Sequence, residues 1–163
     1  MPFGQPRTFH HKYKFIVEID NIASAAFEKC SELEAEIAVV KYREGGSLVA
    51  TKDPGLIEIT DVTLERGATQ DGDLWNWFKS VVDQNADAGG GAGGLGAGLK
   101  SPDFKRDLDI VQLDRDGSEL RRWTLFGTWP TKYSGGDWDN EASEVTMEKV
   151  TLSVTTFDKS FGV

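Results

Sequence analysis

Side chains along an extended chain alternate between its two faces, so apolar residues at every second position predict a strand with one buried side. Residues 12–20 follow this rule: Tyr13, Phe15, Val17 and Ile19 share one face, while Lys14, Ile16, Glu18 and Asp20 share the other. In residues 33–42, Leu33, Ala35, Ile37 and Val39 alternate with Glu34, Glu36 and Ala38, and residues 56–66 continue the theme. Residues 106–129 break at Asp114, Arg115, Asp116 and Gly117, a sequence suited to a tight turn, and therefore predict a hairpin. Residues 144–157 predict one long strand with opposed faces. Only residues 71–84 change period: Leu74, Trp77, Phe78 and Val81 lie at i, i+3, i+4 and i+7, with Asp73 as candidate N-cap, and predict a helix with one apolar stripe. Trp75 falls at the edge of that stripe. The segment from Arg43 to Gly55 predicts a long loop, rich in charge and turn residues.

The chain has 163 residues, 39% of them hydrophobic, with five Trp and nine Phe. That suits one domain, residues 1–163, with a sizeable core. A net charge of −9 disfavours nucleic-acid binding and attraction to anionic membranes. The lone Cys30 builds neither a disulfide nor a paired-cysteine metal site and is expected to act as a small buried apolar residue. No apolar leader and no run of about 18 apolar residues is present, so the protein is expected to assemble in the cytoplasm without direct membrane insertion.

Residues 91–96 match the glycine spacing of a dinucleotide-binding loop. Such a loop must follow a strand and open a helix, so that backbone N–H groups converge on phosphate. Here a helix precedes the run, and Pro102 opposes a helix after it. Leu99 also occupies the glycine position required before Lys100 and Ser101 in a P-loop. A flexible glycine-rich loop over about residues 86–102 is the expectation. Adjacent His10 and His11 point to opposite sides of an extended segment and chelate one metal poorly. The acidic stretches lack calcium-loop spacing, and no nucleophile elbow exists. No catalytic residue, metal site or cofactor is expected.

Five segments read in order carry a resemblance: "YKFIVEIDNI", "CSELEAEIAVVKYREGG", "TLERGATQDGDLWNWFKSVV", "IVQLDRDGSELRRWTLFGTWPTKYSGGDWD" and "NEASEVTMEKVTLSVTTF". Together they resemble the tail tube proteins of contractile phages and contractile injection systems. The resemblance covers nearly the whole chain, and the glycine run is its main departure. It implies a mainly β subunit, sandwich or barrel-like with one flanking helix, forming a hexameric ring around a continuous β-barrel lumen. Rings would stack into a hollow inner tube within a sheath. Implied partners are copies of the chain itself, a sheath protein, baseplate, spike and cap proteins, and translocated cargo or phage DNA. Release would be as an extracellular injection particle or virion tail.

In such a ring one strand face packs on the core and the other lines the channel. The expected core side is Leu33, Ile37, Val39, Val62, Leu64, Val150, Leu152 and Val154. The expected lumen side is Glu34, Glu36, Asp61, Thr63, Glu65, Thr151, Ser153 and Thr155. Arg43, Glu44, Gly45, Gly46, Lys52 and Asp53 are the candidate contacts between rings or subunits. The alternative is a small-molecule-binding β-barrel whose pocket is lined by Trp123, Trp129 and Trp138.

Overall fold

The computed structural model describes residues 12, 14–20, 22–25, 27–88 and 104–161. The strands are β1 (Phe15–Ile19), β2 (Ile22–Ala25), β3 (Lys29–Cys30), β4 (Ala35–Tyr42), β5 (Thr51–Ile59), β6 (Val62–Gly67), β7 (Arg106–Leu113), β8 (Glu119–Ser134), β9 (Met147–Ser153) and β10 (Thr156–Phe161). One helix, α1 (Asp73–Ala88), interrupts them among the described residues. The main sheet runs β2-β1-β7-β8-β9-β6-β3, with β10 also on β8, and is open.

The 16 residues of β8 organise this sheet. Its first half pairs with β7 on one flank and β10 on the other, while its second half pairs with β9. The predicted long last strand is therefore two strands on one flank of β8, broken at Val154 and Thr155. The cause lies opposite, at Gly127, whose φ of +62° belongs to the left-handed region that side chains resist. A Cβ there would stand 2.6 Å from Thr155 Oγ1, so only glycine lets the two chains meet at this corner.

The two halves of the sheet share one core: Val17, Ile19, Leu108 and Leu125 from one, Val62, Leu64, Val150 and Leu152 from the other. The α1 stripe completes it, with Leu74, Trp77 and Val81 buried and Phe78 half-buried. Each such side chain contributes about 1.5–3 kcal/mol by leaving water. Trp77 keeps its one polar atom satisfied by donating Nε1–H to the Phe104 carbonyl at 2.6 Å. Asp73 is the first helical residue, not the cap: the Gly72 carbonyl accepts the first helical bond from Asn76 N–H, and Asp71 Oδ1 accepts Asp73 N–H at 3.0 Å. That backbone bond, more than the nearby Arg66 charge, holds the Asp71 carboxyl below its usual range.

Residues 86–88 belong to α1. The remainder of the expected glycine-rich loop, and His10 and His11, lie outside the described residues. The turn at Asp114 forms as expected, with Gly117 N–H donating to the Asp114 carbonyl. Cys30 is half-buried against the core, and burial pushes its thiol up to about 11.

Candidate functional site: a two-faced wall and a projecting arm

The second half of β8, with β9, β6 and β3, forms a four-stranded antiparallel wall. On its inner flank Val62, Leu64, Val150 and Leu152 are wholly buried. Strand alternation then turns Thr63, Glu65, Thr151 and Ser153 to the other flank, where they are half-buried. These are four of the expected lumen residues, and the structure brings them together. Thr63 and Thr151 face each other with their Oγ1 atoms 3.3 Å apart, and Lys149 Nζ reaches Glu65 Oε1 at 3.3 Å. The outer flank is thus a polar surface of hydroxyls and paired charge. Ser31 extends it, its hydroxyl accepting Thr63 N–H at 2.8 Å.

The inner flank also holds two charges. Arg66 and Glu148 are 4% and 5% exposed, and Arg66 Nε donates to Glu148 Oε2 at 2.7 Å. The Tyr133 hydroxyl donates to the other Glu148 oxygen, while Arg66 also donates to the Asp71 carbonyl at 3.1 Å. Burial, then the hydrogen bond to Glu148, pushes the Tyr133 phenol up to about 12. Tyr133 in turn packs on Trp75 and Phe78, so this network ties the start of α1 to the wall. Sequence reading missed it. Arg66 and Glu148 share the parity of Val62, Leu64, Val150 and Leu152, and that parity was the available signal.

Two expected lumen residues sit elsewhere in relation to the wall. Asp61 is exposed in the link between β5 and β6, and Thr155 is exposed at the corner opposite Gly127. Glu34 and Glu36 lie on a different feature. Register continues from the β3–β6 pair through Ser31 and Thr63, and Glu34 and Thr60, into the β4–β5 pair. The result is one long hairpin, rooted in the wall at β3 and β6 and projecting beyond it as β4 and β5. Every residue of β4 is exposed. Ile37 and Val39, expected in the core, are 52% and 58% exposed, because among the described residues no other layer of the subunit lies against either face of this arm.

The expected loop from Arg43 to Gly55 is shorter than its sequence suggests. Thr51 begins β5, so Lys52, Asp53 and Gly55 are strand residues, and residues 43–50 alone form the tip. Proline at position 54 is tolerated because β5 is an edge strand, with β4 its one neighbour among the described residues. At the tip Glu44 accepts Ser47 N–H across Gly45 and Gly46, and Gly46 has φ +87°, as the third residue of a type II turn requires. Arg43 Nε donates to the Ser47 carbonyl at 2.7 Å and fixes the turn against β4.

The three tryptophans of the alternative reading do not converge. Trp123 borders an open cleft of about 620 Å³ with Phe15 and Leu33, Trp129 packs edge-on to Phe104, and Trp138 is 83% exposed in the β8–β9 loop. Among the described residues no group of three metal-ligating side chains gathers, and no helix is long and apolar enough to cross a membrane.

Residues 11–158 match the model of the family described as T4-like virus tail tube protein gp19. No curated protein matches the sequence. Among solved structures, a chain of the PVC sheath-tube complex, an extracellular contractile injection system in its extended state, is similar with TM-score 0.74 and 20% identity, over 93% of this chain and 91% of that one. A chain of the anti-feeding prophage cap aligns with TM-score 0.77 and 18% identity over 99% and 97%. Hcp1 from Flavobacterium johnsoniae is more distant, at TM-score 0.52 and 10% identity over 92% and 97%. At these identities the structural likenesses speak for the fold.

Proposed function

The chain belongs to the T4-like virus tail tube protein family, whose members are structural tube proteins and not enzymes, and from that premise we propose that it builds the inner tube of a contractile injection system. The observation that carries this reading is the wall, with one flank wholly buried and the opposite flank polar. A subunit that surrounds a water-filled bore needs such a wall, and an open sheet needs neighbours to cover its edges. Residues 1–163 act as one tube domain. Six copies form a ring with Thr63, Glu65, Thr151 and Ser153 toward the bore, and Glu34, Glu36, Asp61 and Thr155 extend that lining at its margins. Hydroxyls and paired charges offer translocated cargo no strong grip, which suits sliding.

The arm serves contact between copies, with Arg43, Glu44, Gly45, Gly46, Lys52 and Asp53 at or beside its tip. An exposed hairpin carrying Ile37, Val39, Val40, Tyr42 and Ile57 is stable in water only when further apolar surface covers it. The solved relatives include a sheath-tube complex, a baseplate and a tube cap, and we assign this chain counterparts of those partners. Assembly takes place in the cytoplasm, followed by release as an extracellular particle.

Electron microscopy of the purified protein tests the reading directly, with annular particles and stacked tubes expected and solitary compact subunits at all concentrations refuting it. In assembled tubes, Thr151→Cys should react with a small thiol reagent and resist a bulky one; equal reaction with both would remove the lumen assignment. Deleting residues 46–52 should leave folded subunits that do not polymerise.

A further inference from the structure

The arm and one exposed loop leave the wall at opposite ends. The arm departs from the Val62 end of β6, through Thr60 and Asp61. At the other end Gly67 pairs with Met147, and Ala68 N–H donates to the Thr146 carbonyl, so the β8–β9 loop, residues 135–146, closes that end. At a strand rise of about 3.3 Å per residue, the extended chain from Thr51, at the start of β5, to Gly67 has a contour of roughly 50 Å.

Both ends present apolar groups to water. Leu48 and Val49 on the tip are 94% and 77% exposed, and Trp138 and Val145 on the loop are 83% and 72% exposed. Their charges are opposed. Around the tip, Lys41, Arg43 and Lys52 outnumber Glu44 and Asp53. The loop carries Asp137, Asp139, Glu141 and Glu144 with no basic residue. Among the described residues, the subunit's own ion pairs involve none of these three cations and none of these four acids. Asp139 caps its own loop by accepting Glu141 N–H at 2.9 Å, which fixes the backbone that displays Trp138.

We propose that the arm tip of one copy docks on the Trp138 loop of a second copy in the next ring, with Leu48 and Val49 against Trp138 and Val145, and Lys41 and Arg43 facing Asp137 and Asp139. This inference rests on the stacked-ring reading and names the receiving surface within it. The contact is head to tail: tip and loop differ and lie at opposite ends, so each docking leaves a free tip at one end and a free loop at the other. Such an arrangement propagates without closing, and it gives the tube a direction. An exposed tryptophan ringed by acids is also the kind of anchor that concentrates binding at interfaces.

Charge exchange tests the pairing. Tubes of the unaltered chain are first measured by electron microscopy; their absence would sink the stacked-ring reading itself. Given tubes, the pair Lys41→Glu and Arg43→Glu should cut mean tube length about tenfold or more while rings persist. Adding Asp137→Lys and Asp139→Lys to the same chain should restore it. Unchanged length in the first variant, or loss without restoration by the second pair, overturns the docking. A second readout does not depend on charge: Leu48→Cys with Asn140→Cys in one chain, oxidised after assembly, should yield a ladder of covalent oligomers that neither single variant gives. Monomer alone from assembled tubes overturns the proposal.

Discussion

The two parts of the β3–β6 hairpin have much the same sequence pattern and opposite fates. At its root, β6 alternates Val62, Leu64 and Arg66 inward with Thr63 and Glu65 outward, and the inward set is 0–4% exposed. Farther along the same ladder, Ile37 pairs with Ile57, and these are 52% and 63% exposed. Alternation therefore encodes that a strand has two faces and leaves open what covers each. The root is covered by its own molecule, by β1, β7, the first half of β8 and α1, whose buried side chains share its core. Among the described residues the arm has no such layer, and its apolar residues form an exposed surface.

This contrast predicts large stability effects at the root and small ones on the arm. Glu148→Ala leaves the buried Arg66 guanidinium without its carboxylate and should destabilise the subunit by about 3–5 kcal/mol, read as a denaturant midpoint. Leu64→Ala empties a site with no exposure and should cost about 2–5 kcal/mol. Gly127→Ala forces a side chain toward Thr155 in a left-handed conformation and should cost about 1–3 kcal/mol. Ile37→Thr with Ile57→Thr should move subunit stability by only about 0.5 kcal/mol each, yet prevent tube growth. A loss of several kcal/mol in that last pair would erase the distinction between root and arm.

Alkaline titration sharpens it further, with a smaller effect. The Tyr133 phenol is held protonated by burial and by Glu148, up to about 12 against an ordinary value near 10. Between those values the unfolded chain releases the proton while the fold retains it, so stability contributed by this group is complete below pH about 10 and declines as pH rises toward about 12. Tyr133→Phe should flatten that part of the curve; an identical decline in both proteins would deny Tyr133 the role.

Much of the architecture follows from local pattern. Strand faces at Val17, Val62, Leu64, Val150 and Leu152, the α1 stripe of Leu74, Trp77 and Val81, and the turn at Gly117 depend on neighbours two to seven residues away, which the sequence displays directly. The outward set Thr63, Glu65, Thr151 and Ser153 was legible for the same reason: parity is a local property. The arm was misread at Ile37 and Val39 because burial depends on a layer contributed by distant segments, and among the described residues β4 and β5 pair there only with each other.

The sequence alone determined the β class, the inward faces of β1, β6 and β9, the amphipathic helix α1 and the family, because periodicity and ordered motifs survive without coordinates. Tertiary structure decided where the hairpin leaves its core, the corner where Gly127 meets Thr155, and the burial of Arg66 with Glu148. The last two join residues 28 and 82 positions apart, and such pairings are set by which strands the fold brings side by side and not by the residues beside them in the chain.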